Sequence, residues 1–231
     1  MKQPLFVLAL IAATTPAAAQ VSVGYPPAAS PYRDLEYHQE MTVFGGYLNA
    51  AADPAGAAPK AAPMAGVRYE ANVGGPAQLV FRFAEALSER NVIDPTKPET
   101  SRSLGSRKWP VYLADFGMSL NLTGQRSFHG LVPVTYFGVG VATDAGKKVA
   151  EDPFRLGTTF ALSLAGGLRF VPGGRFQMRV DAGTYMYQIK YPAAYYILAS
   201  DNTAVLSPSQ AKSFWKRNGA YTFGVSYLLF R

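Results

Sequence analysis

Hydrophobic and polar residues alternate with a period of two along much of the chain, most clearly between residues 158 and 189. From Phe160 to Phe170 every second residue is apolar or glycine, and the residues between them are mostly small or polar. A Pro-Gly-Gly sequence at 172–174 interrupts the alternation, which resumes at Phe176. Because successive side chains of a strand point to opposite faces, this stretch predicts a β-hairpin with one apolar and one polar face.

The same pattern recurs in six further segments, so that eight strands are predicted in all. Most of these segments alternate cleanly, whereas the first and the fifth strands of the set alternate weakly. The segments outside the hairpin are 38–48, 64–73, 77–86, 111–122, 131–143 and 219–230. Short alternating strands separated by turn residues indicate an all-β fold.

The connections between the predicted strands alternate in length. Those that follow the second, fourth and sixth strands are short, and the others are long, with the longest at 190–218. Transmembrane β-barrels have short periplasmic turns, long external loops, apolar residues facing lipid and polar residues facing the lumen. The chain therefore predicts an eight-stranded antiparallel transmembrane β-barrel with short periplasmic turns and long external loops.

The N-terminal residues have the features of a secretory signal peptide. One lysine precedes a short apolar run, and three alanines at 17–19 offer a cleavage site. The apolar run is much shorter than the roughly 20 residues that a membrane-spanning helix needs. The expected organisation has three parts: a signal peptide at 1–19, a proline-bearing periplasmic lead-in at 20–36 and the barrel at 37–231.

The amino-acid composition limits the cellular compartments and the classes of partner that we expect. The chain has no cysteine, which excludes disulfides, a thiol nucleophile and a lipid-modified N-terminal cysteine. Its net charge of +7 is spread over loops and inward strand positions and forms no basic cluster typical of nucleic-acid binding. We therefore expect no nucleic-acid partner. We expect location in a Gram-negative type of outer membrane, where basic loops contact lipopolysaccharide.

Aromatic residues near the ends of the predicted strands suggest girdles at both membrane interfaces, where half-wet rings are favourable. Those at the long-loop ends are Trp109, Tyr112, Tyr185, Tyr187, Tyr191 and Tyr221. Those at the short-turn ends are Phe128, Phe170, Phe176 and Phe230. The shared placement supports the predicted orientation of the barrel.

With this pattern the chain resembles the small eight-stranded outer-membrane barrels, such as the membrane domain of outer-membrane protein A and outer-membrane protein X. The resemblance covers nearly all of the expected mature chain and rests on pattern, without a diagnostic motif. Near the C-terminus Phe223, Val225, Tyr227 and Leu229 match the alternating apolar positions of the family's insertion signal, although Arg231 holds the terminal place. The resemblance implies insertion by the barrel-assembly machinery. We expect a monomer surrounded by outer-membrane lipid.

Charged residues at inward strand positions predict a polar network in the lumen. The interior of an eight-stranded barrel is just wide enough for side chains to fill it, and buried charges must pair. The predicted members are Arg68, Glu70, Arg82, Asp115, Arg169, Arg179 and Asp181. A structural network that fills the barrel is the simpler hypothesis, and a narrow gated pore through rearranging ion pairs is the alternative.

Enzymatic chemistry finds little support in the sequence. Some barrels of this size modify lipid A with a serine and a histidine, and Ser127 and His129 are the only close pair of this kind. They lie in a predicted periplasmic turn, with no acidic residue evident to orient the histidine. Two histidines and no cysteine make a metal site improbable on composition. We therefore expect no catalytic, metal or cofactor-binding residues and no cofactor.

The expected function is structural, or is a surface interaction such as adhesion or lipopolysaccharide contact through the long loops. The last long loop mixes tyrosines with Lys212, Lys216 and Arg217, which suits an interface, although its aromatic residues could equally anchor a solvated loop at the membrane. The alternatives are a lipid A-modifying enzyme, a narrow gated pore and a soluble lipocalin-like periplasmic carrier. The carrier would need an apolar lumen, which the inward charges oppose.

Overall fold

A computed structural model describes residues 30–35 and 38–230 and consists almost entirely of β-strands. The predicted signal peptide and most of the predicted lead-in lie outside the described residues, as does Arg231. Among the described residues, no helix has the length and apolar character required to cross a membrane. One short 3-10 turn, Ala193–Tyr196, lies in the last long loop.

Twelve strands follow one another along the described chain. The first six are β1 (Tyr32–Asp34), β2 (Gln39–Ala50), β3 (Ala62–Gly74), β4 (Ala77–Ala86), β5 (Glu89–Ile93) and β6 (Ser103–Lys108). The other six are β7 (Val111–Asn121), β8 (Arg126–Phe128), β9 (Leu131–Thr143), β10 (Thr158–Phe170), β11 (Phe176–Lys190) and β12 (Ser213–Phe230).

Eight of these strands close into an antiparallel barrel. The order around it is β9, β10, β11, β12, β2, β3, β4 and β7, and β7 pairs with β9 to complete the circle. Closure pairs every barrel strand on both edges, so the backbone has no open edge in the barrel wall. The predicted eight-stranded antiparallel barrel is confirmed, and its three short connections all lie at one end.

The alternation of side chains divides the wall into two faces. The outward face is a belt of exposed large apolar residues, including Val43, Phe81, Phe116, Phe137 and Phe223. The inward positions of the same strands are buried, as the alternating burial along β4 and β9 shows. An apolar outside around a partly charged inside is the arrangement that suits lipid on the outer face.

Some strand boundaries differ from the sequence prediction. β12 begins at Ser213, six residues before the predicted start, because it continues in register with the long β11 past the apolar belt. The predicted loop at 88–110 contains the hairpin of β5 and β6. Their sequence has no period-two apolar pattern, because this small sheet packs in the loops instead of forming the barrel wall.

A second small pairing occurs at the short-turn end. β1, which falls inside the predicted lead-in, pairs with β8 of the connection between β7 and β9. The Arg126 Nε atom lies 3.0 Å from the Asp34 Oδ1 atom across this pair, and both side chains are largely exposed. The segment before the barrel is therefore tied to a turn, at least over Tyr32–Asp34.

The predicted aromatic girdle at the long-loop end is wrong in part. Tyr221 is exposed on the outer face, but Trp109, Tyr185, Tyr187 and Tyr191 are buried. Tyr185 and Tyr187 occupy inward positions of β11, in phase with the inward Arg179. At the short-turn end, the girdle members whose side chains are described lie on the outer surface. They are Phe128, Phe170 and Phe176.

Candidate functional site

The lumen contains all seven charged residues that the sequence analysis placed there. Six are at most 8% exposed, and Asp181 is partly buried. They come from five of the barrel strands, β3, β4, β7, β10 and β11, and β2 adds a further residue that the sequence analysis missed. Two groups of ion pairs result, one near the short-turn end and one at mid-height.

The group near the short-turn end centres on Glu70. One carboxylate oxygen of Glu70, Oε1, accepts a hydrogen bond from Arg68 Nη2 at 2.6 Å. The other, Oε2, accepts bonds from Arg179 Nη1 at 2.6 Å and from Arg169 Nη2 at 2.9 Å. The Arg179 guanidinium also binds both carboxylate oxygens of Asp181, at 2.8 and 3.0 Å. One carboxylate thus holds three guanidinium groups in a closed space.

Glu40 on β2 is the residue that sequence reasoning missed. It is fully buried, and its Oε1 accepts a hydrogen bond from Arg169 Nη2 at 2.7 Å. The predicted set had four arginines and only three acids, and Glu40 supplies the fourth acid. Since buried charges must be compensated, that imbalance was a signal for one more inward acid. It was overlooked because the first strand alternates weakly.

The mid-height group joins Arg82, Asp115 and Tyr136. Arg82 Nη2 lies 3.1 Å from Asp115 Oδ2, and the Tyr136 hydroxyl donates a hydrogen bond to Asp115 Oδ1. The Arg82 guanidinium carbon lies 4.6 Å from the centroid of the Tyr136 ring and 4.7 Å from that of Tyr185. Two tyrosine rings therefore enclose this arginine, and each adds a cation–π contact to the ion pair.

Above this level the lumen is mainly apolar, with Lys216 and Asn218 as buried polar residues. A single hydrophobic cluster includes inward residues of the barrel strands, among them Leu48, Met64, Leu113 and Tyr187. The same cluster continues into residues of all four long loops. Its loop members are Ala57, Ala58, Ile93, Phe154, Leu156, Tyr191, Tyr195 and Leu206. We call these loop residues, together with Asp53, Asp144 and Asp152, the loop cap.

Asp152 is the central polar residue of the loop cap. Its Oδ2 accepts hydrogen bonds from Arg90 Nη1 at 2.6 Å and from the Ile93 amide at 3.0 Å. Its Oδ1 accepts bonds from the Tyr195 hydroxyl at 2.8 Å and the Phe154 amide at 2.9 Å. Three long loops therefore meet at one carboxylate, and the Arg90–Asp152 ion pair is fully buried.

Two further aspartates organise the loops around this centre. Asp53 accepts hydrogen bonds from the amides of Ala55 and Ala58 and from the Tyr191 hydroxyl, which links the first and the last long loops. Asp144 Oδ2 accepts a bond from the Trp109 indole at 3.0 Å. The loop cap is therefore a connected structure and not a set of independent solvated loops.

Tyr195, at the centre of the loop cap, has a raised pKa because it is buried. Desolvation raises the pKa of Tyr195 above its ordinary value, and the adjacent Asp152 carboxylate raises it further, while Arg90 opposes these effects. Tyr195 is therefore neutral at physiological pH and acts as a hydrogen-bond donor.

The serine and histidine considered for catalysis are not arranged for it. Ser127 is buried and its hydroxyl lies 3.3 Å from the Arg33 carbonyl oxygen, whereas His129 is exposed and packs edge-on against Phe128. No hydrogen bond joins the two side chains among the described residues. Across those same residues, no group of three or more histidine, cysteine, aspartate or glutamate side chains is placed to hold a metal ion.

The exposed charge at the long-loop end is mainly positive. Ten basic side chains are exposed there, against four acidic ones. The basic residues are Lys60, Lys97, Arg107, Lys108, Lys147, Lys148, Arg155, Lys190, Lys212 and Arg217. The acidic residues are Glu89, Glu99, Glu151 and Asp201. Of the mixed group noted in the last loop, Lys212 and Arg217 are exposed, whereas Lys216 is buried and bonds to the Pro59 carbonyl oxygen.

No family model and no curated protein matches this chain. Solved structures of outer-membrane proteins do match its fold. The outer membrane protein OprG from Pseudomonas aeruginosa matches with a TM-score of 0.53 at 11% identity, over 84% of this chain and 97% of its own. Neisserial surface protein A (NspA) matches with a TM-score of 0.48 at 10% identity, over 83% of this chain and 97% of its own.

A third match is Ail, the attachment invasion locus protein of Yersinia pestis, whose structure contains the heparin analogue sucrose octasulfate. Its TM-score is 0.38 at 13% identity, over 82% of this chain and 98% of its own. At these identities the comparisons concern the fold. The match to OprG, together with the closed barrel and its apolar belt, places the chain among proteins with the small outer-membrane barrel fold.

Proposed function

We propose that this chain is a plugged outer-membrane barrel with a non-enzymatic role in the cell envelope, which it performs by presenting the exposed basic residues of its long-loop end, on loops held together by the loop cap, to lipopolysaccharide. The observation that carries this proposal is the filling of the lumen at every level. Ion pairs occupy it near the short-turn end and at mid-height, and apolar side chains join it to the loop cap. Such a barrel offers its surface, and not its interior, to other molecules.

The packing of the lumen argues against the pore hypothesis. A void between Arg82, Asp181 and Tyr185 has a volume of about 10 Å³, close to the minimum that holds one water molecule. An ion path would require the buried Glu70 and Arg169 pair to separate, which leaves uncompensated charges in a closed space. The soluble carrier hypothesis is also opposed, because the belt of exposed apolar residues lies on the outside of the barrel.

Charge supports lipopolysaccharide as the partner. The exposed basic residues outnumber the acidic ones at the end that faces outward from the cell in the proposed orientation. Lipopolysaccharide is anionic, and arginine and lysine are the residues that bind phosphate groups. Lys147 and Lys148 are adjacent and exposed in the connection between β9 and β10, where they suit such a contact.

Two measurements test the membrane and plug parts of this proposal. In cell fractions the protein should be found in the outer membrane, with a gel mobility that changes on boiling. In a planar bilayer, the purified protein should show no stable conductance steps. A soluble periplasmic band would contradict the membrane role, and regular open channels in the native protein would contradict the plug.

The partner is tested by charge reversal. Lys147→Glu combined with Lys148→Glu should weaken binding to vesicles that contain lipopolysaccharide, and added salt should weaken the binding of the native protein. Arg33→Glu combined with Arg175→Glu is the matched control, because both arginines are exposed at the short-turn end. Equal binding by the double variant and the native protein would contradict the loop contact.

A further inference from the structure

The outer surface of the barrel has a groove in the middle of its apolar belt. Two adjoining hollows, of about 570 and 640 Å³, share Gly166 on β10 and Ala182 on β11. Their walls are large apolar residues such as Met118, Leu164 and Phe223. Both hollows are shallow depressions that are open to the outside of the barrel.

The floor of the groove consists of three small residues in one row of the sheet. Thr135, Gly166 and Ala182 are register partners across β9, β10 and β11. A barrel gains by filling its lipid face with large apolar side chains, so three small residues side by side leave a hollow that something else must fill.

Packing within the protein does not require Gly166. A Cβ atom there would come no closer than 3.9 Å to any heavy atom, the nearest being the Val134 carbonyl oxygen. The inward Gly140 is different, because a Cβ atom there would collide with the backbone of β7. Gly140 is explained by close packing of the barrel itself, whereas no contact among the described residues accounts for Gly166.

Basic and aromatic residues lie above the groove on β12, the strand next to β11. On β12, the outward Arg217 is the register partner of Met186, and the outward Trp215 is the partner of Gln188. Between this level and Ala182 the outward pair is Thr184 and Gly219, which are also small. A narrow track of small residues therefore connects the groove to the level of Arg217.

No acidic side chain of the described residues forms an ion pair with Arg217, which is exposed. The same holds for Lys190, which lies farther toward the loops on β11 and is also exposed. Two exposed cations beside an indole ring at the edge of an apolar belt are complementary to the phosphate group of a lipid.

The spacing of these features agrees with the thickness of one leaflet. Ala182 and Met186 are four residues apart, which is about 13 Å along the strand and about 10 Å in depth for a strand tilted by about 40°. Half of a hydrocarbon core of about 30 Å is about 15 Å. A chain whose phosphate lies at Arg217 therefore reaches Ala182 and Gly166 within the same leaflet.

We propose that this groove binds one acyl chain of lipid A in the outer leaflet, and that Arg217 pairs with the lipid A phosphate above it. This proposal rests on the proposed outer-membrane location with the long loops outside, and it names a specific lipid site on the barrel wall. A second copy of the chain is the competing occupant. Lipid A is favoured because the cation Arg217, which is complementary to a phosphate, lies above an apolar groove that is complementary to an acyl chain.

The test fills the groove without disturbing the barrel. Gly166→Leu with Ala182→Leu places two large side chains in open space and raises β-propensity at position 166. Ala114→Leu on β7 is the control, because Ala114 is also outward, between Phe83 and Val141, and lies outside the groove. Heat-modifiable gel mobility establishes that each variant is folded.

Each protein is reconstituted in phosphatidylcholine nanodiscs that contain a small fraction of bisphosphorylated lipid A, and retained lipid is counted by native mass spectrometry. The native protein and Ala114→Leu should retain one lipid A, and the double variant should bind about tenfold more weakly, which corresponds to the loss of a modest contact. Arg217→Gln should weaken binding of bisphosphorylated lipid A but leave binding of dephosphorylated lipid A unchanged.

Several outcomes would overturn the proposal. They are equal retention by the double variant and its control, equal retention of phosphatidylglycerol in place of lipid A, or a native dimer that only the double variant disrupts. Fractionation of the same variants reports the outer-membrane location separately. A failure of the groove is thereby distinguished from a failure of the proposed function.

Discussion

The two ends of the lumen are closed by different physical means. Near the short-turn end, the closure consists of buried ion pairs around Glu70 and Glu40, all supplied by barrel strands. At the long-loop end, the closure is a hydrophobic cluster that includes the loops, with the buried Arg90–Asp152 pair at its centre. The first closure belongs to the wall itself, whereas the second depends on loops that could open while the barrel remains intact.

This difference has a thermodynamic consequence. Removing one partner of a buried ion pair is expensive, because the other partner keeps its charge without compensation. In the wall, that cost falls on the whole barrel, since every strand is paired with two others. In the loop cap, the same kind of change can be relieved by local opening into water. The comparison therefore predicts global destabilisation in one case and local opening in the other.

The largest effect is expected at Glu70. Glu70→Ala leaves Arg68, Arg169 and Arg179 without their shared carboxylate and should lower the free energy of unfolding by about 3–5 kcal/mol. Urea unfolding in lipid vesicles, followed by tryptophan fluorescence, measures the change. Asp34→Ala breaks an exposed ion pair at the same end and should change stability by about 1 kcal/mol or less. Similar midpoints for the two variants would contradict a stabilising network.

A smaller and local effect is expected at Asp152. Asp152→Ala removes the partner of Arg90 and of the Tyr195 hydroxyl and should open the loop cap while the barrel stays folded. Limited proteolysis should then cut within 191–212 at much lower protease concentration than in the native protein, with heat-modifiable mobility retained. Glu151→Ala serves as the control, because Glu151 is the neighbouring residue in the same loop and is exposed. Loss of the folded barrel would show that the cap and the wall are one cooperative unit.

The smallest effect is a response of the loop cap to alkaline pH. Burial and Asp152 raise the pKa of Tyr195, so its contribution is complete below the unfolded pKa of about 10 and declines as pH rises above it. Protease resistance of the loops should therefore fall as the pH rises above about 10.

Tyr195→Phe separates this response from the general effect of alkali. The variant should lose about 1 kcal/mol of cap stability at neutral pH, the typical value of a hydrogen bond, and show a shallower alkaline decline. Tyr32→Phe, on the exposed β1, is the control. An unchanged alkaline profile in Tyr195→Phe would assign the response to another group.

The outward face of each barrel strand could be predicted from the sequence because it depends on one local rule. Positions such as Phe116 and Phe137 alternate with small or polar neighbours, and a strand turns that alternation directly into two faces. Arg68, Arg82 and Arg179 were recognised as inward for the same reason. Glu40 was missed because its strand alternates weakly, and Tyr185 was assigned to a girdle although its parity with Arg179 already placed it inside.

The loop cap had no comparable signal. Asp53, Asp144 and Asp152 are separated by long stretches of sequence from the tyrosines and the tryptophan that they bond, so no short-range pattern indicates that they meet. The hairpin of β5 and β6 was read as a loop because it packs in the cap, where period-two burial does not apply. Long-range contacts of this kind follow from barrel closure, which brings all four long loops to one end.

By itself, the sequence determined that the chain forms eight membrane-compatible strands, which face of each is apolar, and at which end the long loops lie. These properties follow from side-chain alternation and turn chemistry, which act between near neighbours. Only the tertiary structure decided which charges pair across the lumen, how the loops close over it, and that Gly166 and Ala182 form one groove. Those features depend on the register between strands that closure brings side by side, and register is not encoded in any single segment.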